Sequence, residues 1–150
     1  MKSNLQNKNI YLPILSVVIA FILYGKSIKN SYNIDDNYVV HNHELVEKGI
    51  KGIPDIFTSR YNSKEGQNFG YRPLTIALFA IEYQIFGENT SVFHLFNILW
   101  YIILLISLYL LIRKLIPDIN KWFVIMILLI FAVHPIHTEV VLSLKNREEI

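Results

Sequence analysis

The chain has 150 residues, 53% of them hydrophobic and only 17% charged, with a net charge of +2 and no cysteine. So small a positive charge, without a basic stripe or zinc-finger spacing, argues against a nucleic-acid partner. The absence of cysteine excludes disulfides, thiolate metal sites and cysteine nucleophiles. Soluble domains carry about 25% charged residues; here the shortfall is gathered into three apolar blocks, the pattern of a membrane protein.

The first block covers residues 9–25, NIYLPILSVVIAFILYG, between Lys8 and Lys26. A helix rises about 1.5 Å per residue, so roughly 17–25 residues cross a bilayer core. The block meets the lower limit. Its exit, ILYGKSIKN, lacks a small-x-small cleavage site, so it reads as an uncleaved anchor and not as a signal peptide.

A long polar segment, residues 26–91, follows. Within it, apolar residues at 39, 40, 45, 46 and 50 predict one short helix over 36–50, capped by Asp35 or Asp36 and closed by Gly49. Pro54 suits the first turn of another helix over 54–60. SRYNSKEGQNFG, residues 59–70, reads as a flexible loop. Pro73 starts a third run, YRPLTIALFAIEYQIFG, residues 71–87. That run is short and carries Glu82, so it is predicted to lie at the outer interface without crossing. If it did cross, Glu82 would be a charge at bilayer depth, as a transporter fragment needs.

The second and third apolar spans are expected at about 92–112 and 122–138. Lys2 and Lys8 precede the first span, and Arg113, Lys114 and Lys121 bracket the turn between the other two. Basic flanks mark the cytoplasmic side. The predicted fold is therefore an all-α membrane protein: three transmembrane helices and a long outer loop carrying short juxtamembrane helices. The amino terminus would be cytoplasmic, with residues 26–91 and the end of the third span outside. The abundance of Lys, Asn and Ile suits an AT-rich bacterial genome, and hence a bacterial inner membrane.

Several polar residues then share the outer side. Asp35 and Asp36 read either as helix-capping acids or as a general base beside the bilayer. Arg72 either snorkels to headgroups or clamps a lipid phosphate with its planar fork. His94 and Asn97, three apart, share a face at the outer end of the second span. His134, His137 and Glu139 end the third span. Their spacing is not that of a helical zinc motif, and Pro135 interrupts it, so headgroup or substrate contacts are expected and no metal. Asn89-Thr90-Ser91 fits a glycosylation sequon, a frequent chance match.

The order of these elements carries a resemblance. An acidic pair follows the first span; then come YRPL, FGENTSVFHLFNIL and FAVHPIHTEVVLSLKNREEI, the last with an Asn-Arg-x-Glu stretch. This order and wording, from about residue 10 to 150, resemble the amino-terminal end of the GT-C glycosyltransferases. Within these it is most similar to the TMTC-type proteins, membrane O-mannosyltransferase-like enzymes with tetratricopeptide repeats. The resemblance implies transfer of a sugar, a hexose such as mannose, from a polyprenyl- or dolichyl-phosphate donor to a hydroxyl of a protein or glycan acceptor. No cofactor is expected. It implies that Asp35 or Asp36 is the catalytic base, with position slightly favouring Asp35. Arg72 would face the leaving phosphate, and His94, Asn97, His134, His137 and Glu139 would line the substrate cavity. Enzymes of that family have more spans, usually followed by repeats. The chain is thus expected to be the amino-terminal part of a transferase. The rival expectation is a non-enzymatic membrane anchor or assembly subunit that binds through its outer loop.

Overall fold

The computed structural model describes residues 11–58 and 71–150. Among these, the regular structure is all helical. Seven α-helices follow in order: α1 (Tyr11–Tyr24), α2 (Glu44–Glu47), α3 (Ile53–Thr58), α4 (Pro73–Phe86), α5 (Thr90–Leu115), α6 (Lys121–Val133) and α7 (Ile136–Leu142), with 3₁₀ turns at Gly25–Lys29, Ile34–Tyr38, Gly49–Gly52 and Lys145–Glu149. The predicted loop over 59–70 lies outside the described residues.

The helix α5 has 26 residues, which gives it a length of ~39 Å. It is long and apolar enough to cross a membrane. Asn89 caps its start by accepting a hydrogen bond from the Val92 N–H at 3.3 Å. Arg113 and Lys114 close its last turn, where cations suit the helix dipole. The helix α6 is capped in the same way by Asn120, which accepts from the Trp122 N–H at 2.9 Å. It reaches crossing length only together with α7, and the pair is bent by 62°, so the expected single span over 122–138 is interrupted after Val133. The described part of α1 has 14 residues, or ~21 Å. The helix α4 starts with Pro73 in its first turn, as expected, and is also 14 residues long.

The predicted helix over 36–50 does not form as one piece, and neither Asp35 nor Asp36 is its N-cap: Asn33 occupies that position for the 3₁₀ turn Ile34–Tyr38 and His43 for α2. Asn42 takes a left-handed backbone, φ 55°, which no helix continues through. The chain restarts at His43, whose Nδ1 accepts from the Val46 N–H at 3.4 Å. Burial pushes the His43 imidazole below its ordinary pKa, which keeps that nitrogen unprotonated and able to accept. Gly49, at φ 61°, then ends α2. A Cβ there would run into the Gln84 side chain on α4, so the glycine also allows the close approach.

These breaks let both faces of the segment reach one core. Val39, Val40, Val46 and Ile56 pack with Phe79 of α4 and Phe93 of α5. Each such side chain contributes about 1.5–3 kcal/mol when fully buried. A second core joins the long helices: Ala20 and Tyr24 of α1, Tyr101 and Leu105 of α5, Ala132 of α6 and Val141 of α7.

The bend between α6 and α7 has a chemical cause. Pro135 lacks an N–H and disfavours helix before it. The Ile136 N–H turns to His134 Nδ1, at 3.3 Å, and leaves the Ala132 carbonyl without its helical donor. Two tyrosines replace that donor: Tyr24 Oη and Tyr101 Oη both donate to it, at 3.1 and 3.2 Å. A non-additive result follows. Tyr24→Phe or Tyr101→Phe alone should cost about 0.5–1.5 kcal/mol, because one donor remains. The double variant should cost more than the sum, because a buried carbonyl is orphaned. Denaturant titration in detergent of the four proteins of the cycle checks this.

Candidate active site at the acid pair

The two acids hold unequal positions. Asp36 is fully buried. Its Oδ2 accepts from the Asn33 N–H at 2.9 Å, closing a capping box, and its Oδ1 accepts from the Lys145 N–H at 3.1 Å. Both oxygens are therefore committed to backbone. Asp35, the next residue, keeps 57% of its side chain exposed, and its Oδ2 meets Lys145 Nζ at 3.4 Å. Asp36 thus belongs to the capping box, and Asp35 takes no part in it and pairs with an exposed ammonium.

Arg72 ends the chain's approach to α4 and pairs with Glu148; its side chain remains 43% exposed and that of Glu148 13%. Asn97 is buried on α5. Its amide donates to the carbonyls of Val141 and Ser143, at 3.2 and 3.1 Å. Its oxygen accepts from Arg147 Nε at 2.5 Å. His94 is buried as well. His137 packs its ring on Phe131 at 4.3 Å and near Tyr101 at 5.7 Å. His134 and Glu139 are exposed. Among the described residues no three His, Asp or Glu side chains are grouped to hold a metal ion.

Arg147, which joins these residues, was given no role by the sequence. Arg147 is buried and makes ionic, amide and carbonyl contacts at once. Its Nη1 donates to Glu82 Oε1 at 2.7 Å and its Nη2 to the Phe93 carbonyl at 2.9 Å. Its guanidinium carbon lies 3.8 Å from the Phe79 ring centroid. Burial drives the Glu82 carboxyl up from its ordinary pKa, and the charge of Arg147 pulls it back. The same burial drives Arg147 down, against the pull of Glu82. The sequence did hold a signal for the pair: a carboxylate inside an apolar helix, and a guanidinium just past an apolar block, each in need of a partner.

Beside this network a cavity of about 320 Å³ opens between α4 and α5. Leu74, Leu78, Trp100 and Ile103 form its apolar wall, and Arg147 and Glu148 stand at its polar side. The Trp100 Nε1–H is buried and has no hydrogen-bond partner among the described residues.

An all-helical chain with a crossing-length apolar helix, and with acids and cations gathered beside its end, suits a membrane protein with a polar site. In comparison with known proteins, the chain is distantly similar to TMTC-type protein O-mannosyl-transferases. It is 29% identical over 133 residues to protein O-mannosyl-transferase TMTC1 of Homo sapiens, a match covering 86% of this chain and 15% of that protein. It is 39% identical over 88 residues to human protein O-mannosyl-transferase TMTC3, covering 59% and 9%. To protein O-mannosyl-transferase F38B6.6 of Caenorhabditis elegans it is 27% identical over 143 residues, covering 91% and 20%. The chain thus spans a fifth or less of the length of these relatives. No protein-family model and no solved structure matches it.

Proposed function

We propose that this chain carries the base-bearing part of a GT-C-type membrane glycosyltransferase. The donor is a polyprenyl-phosphate-linked hexose such as mannose, and the acceptor a hydroxyl of a protein or glycan at the outer membrane face. In this reading α1, α5 and the bent α6–α7 pair are three spans, α4 lies at the outer interface, and the amino terminus is cytoplasmic. Asp35 takes the proton of the acceptor hydroxyl as its oxygen attacks the anomeric carbon. The carbon–oxygen bond to phosphate breaks, and the lipid phosphate leaves with the bonding pair. A guanidinium has five N–H donors, so Arg72 can meet that phosphate while sharing Glu148, and stabilise the growing charge.

The observation that carries the reading is the inequality of the acid pair. Asp36 is spent on backbone hydrogen bonds, and Asp35 is held in place beside it with its carboxylate open. The names of the relatives support the reaction class. The apolar wall of the cavity suits the lipid part of an amphipathic donor. The same inequality gives the non-enzymatic alternative its due: Asp36 alone is accounted for by capping.

The test is a choice of donors. The full-length protein in proteoliposomes, given polyprenyl-phosphate mannose or nucleotide-linked mannose with an acceptor peptide, is expected to transfer from the lipid donor only. Transfer from the nucleotide sugar alone would overturn the reading.

A further inference from the structure

We infer that Lys145–Glu148 is a positioning strap for the site, anchored from within by Arg147. The inference rests on reading Asp35 as the base. Successive residues of the strap point at different parts of the site. Lys145 gives its N–H to Asp36 and its ammonium to Asp35. Arg147 sinks into the protein and binds Glu82, Asn97 and the Phe93 carbonyl. Glu148 returns to the surface and holds Arg72. One short 3₁₀ turn therefore sets the spacing between an open carboxylate and a guanidinium carried on opposite sides of residues 59–70.

The anchor is suited to this role. A planar guanidinium with several donors fixed in one plane allows little play, and here its face is also covered by Phe79. Asn97 locks the preceding turn as well, through Val141 and Ser143. A strap held at its centre transmits little motion to its ends. A displacement of about 1 Å at a reacting group can cost 100-fold in rate. Arg147 touches neither acid of the pair, and so acts through Lys145 and Glu148.

The experiment separates position from folding and from catalysis. A buried ion pair replaced as a pair by neutral residues often leaves stability intact. The variant Glu82→Gln/Arg147→Met is therefore made in the full-length protein. Nitroxide labels at Ile34→Cys and Glu149→Cys, in a stretch with no cysteine of its own, report the spacing of strap and acid turn. The double variant is expected to fold and to broaden that distance distribution. Its kcat should fall at least about ten-fold while KM for the lipid donor changes less. A distance as narrow as the parent's, or an unchanged kcat, overturns the inference. Lys145→Met keeps the main-chain N–H on Asp36 and removes only the ammonium. It tests the same claim if the double variant fails to fold: kcat should fall, and a parental kcat overturns the inference. A broadened distance with no transfer even by the parent protein would uphold the strap and remove the transferase reading instead.

Discussion

Asp35→Asn in the full-length protein is expected to lower sugar transfer by about 100- to 10,000-fold, the contribution of a positioned general base, with little change in the amount of folded protein. The side chain is 57% exposed and meets one flexible ammonium, and exposed ion pairs contribute at most about 1 kcal/mol. Asp36→Asn should show the reverse. An amide has one acceptor oxygen where the carboxylate has two, so either the Asn33 or the Lys145 N–H loses its partner. Orphaning a part-buried N–H costs about 1–3 kcal/mol. The expected phenotype is less folded protein with a near-parental rate per molecule. Rate and monodisperse yield, measured together for both variants, separate the two roles. Equal loss of rate in both, with equal yields, would mean that the unequal settings of the acids have no bearing on catalysis.

Glu82→Ala is expected to be strongly destabilising. It leaves the Arg147 guanidinium, 4% exposed, without its counter-charge. Breaking a buried pair by removing one partner costs about 3–5 kcal/mol. The measurement is the denaturant midpoint of purified protein in detergent, against Glu82→Gln as the milder control. Glutamine keeps an acceptor for Arg147 Nη1 and removes only the charge. An alanine variant as stable as the parent would show that Arg147 finds another partner, and would weaken the strap argument with it.

The long helices were legible because their signals are local. Apolar runs and Pro73 at the head of α4 lie within a few residues of what they determine, whereas the caps Asn89 and Asn120 were not singled out. The short helix from Ile53 was legible for the same reason, through Pro54. The outer segment was not. Its apolar spacing fits one helix over 36–50, but burying Val39 and Val40 together with Val46 in one core requires the backbone reversal at Asn42. Tertiary packing there overrides a weak local period. The candidate residues were legible only as types. The capping box of Asp36 is local, through the Asn33 N–H three positions away, but its second oxygen binds an N–H 109 positions away, and no window of sequence reports such a contact. The strap was missed for the same reason: Lys145, Arg147 and Glu148 look like an ordinary charged stretch until Glu82, Asn97 and Arg72 fold against them.

The measurement that tests the central claim most directly is the mass of an acceptor peptide after incubation with the full-length protein and polyprenyl-phosphate mannose, beside the Asp35→Asn protein prepared at equal folded concentration. The account predicts a hexose adduct with the parent and none above background with the variant. The same adduct, formed at the same rate by both, would contradict it.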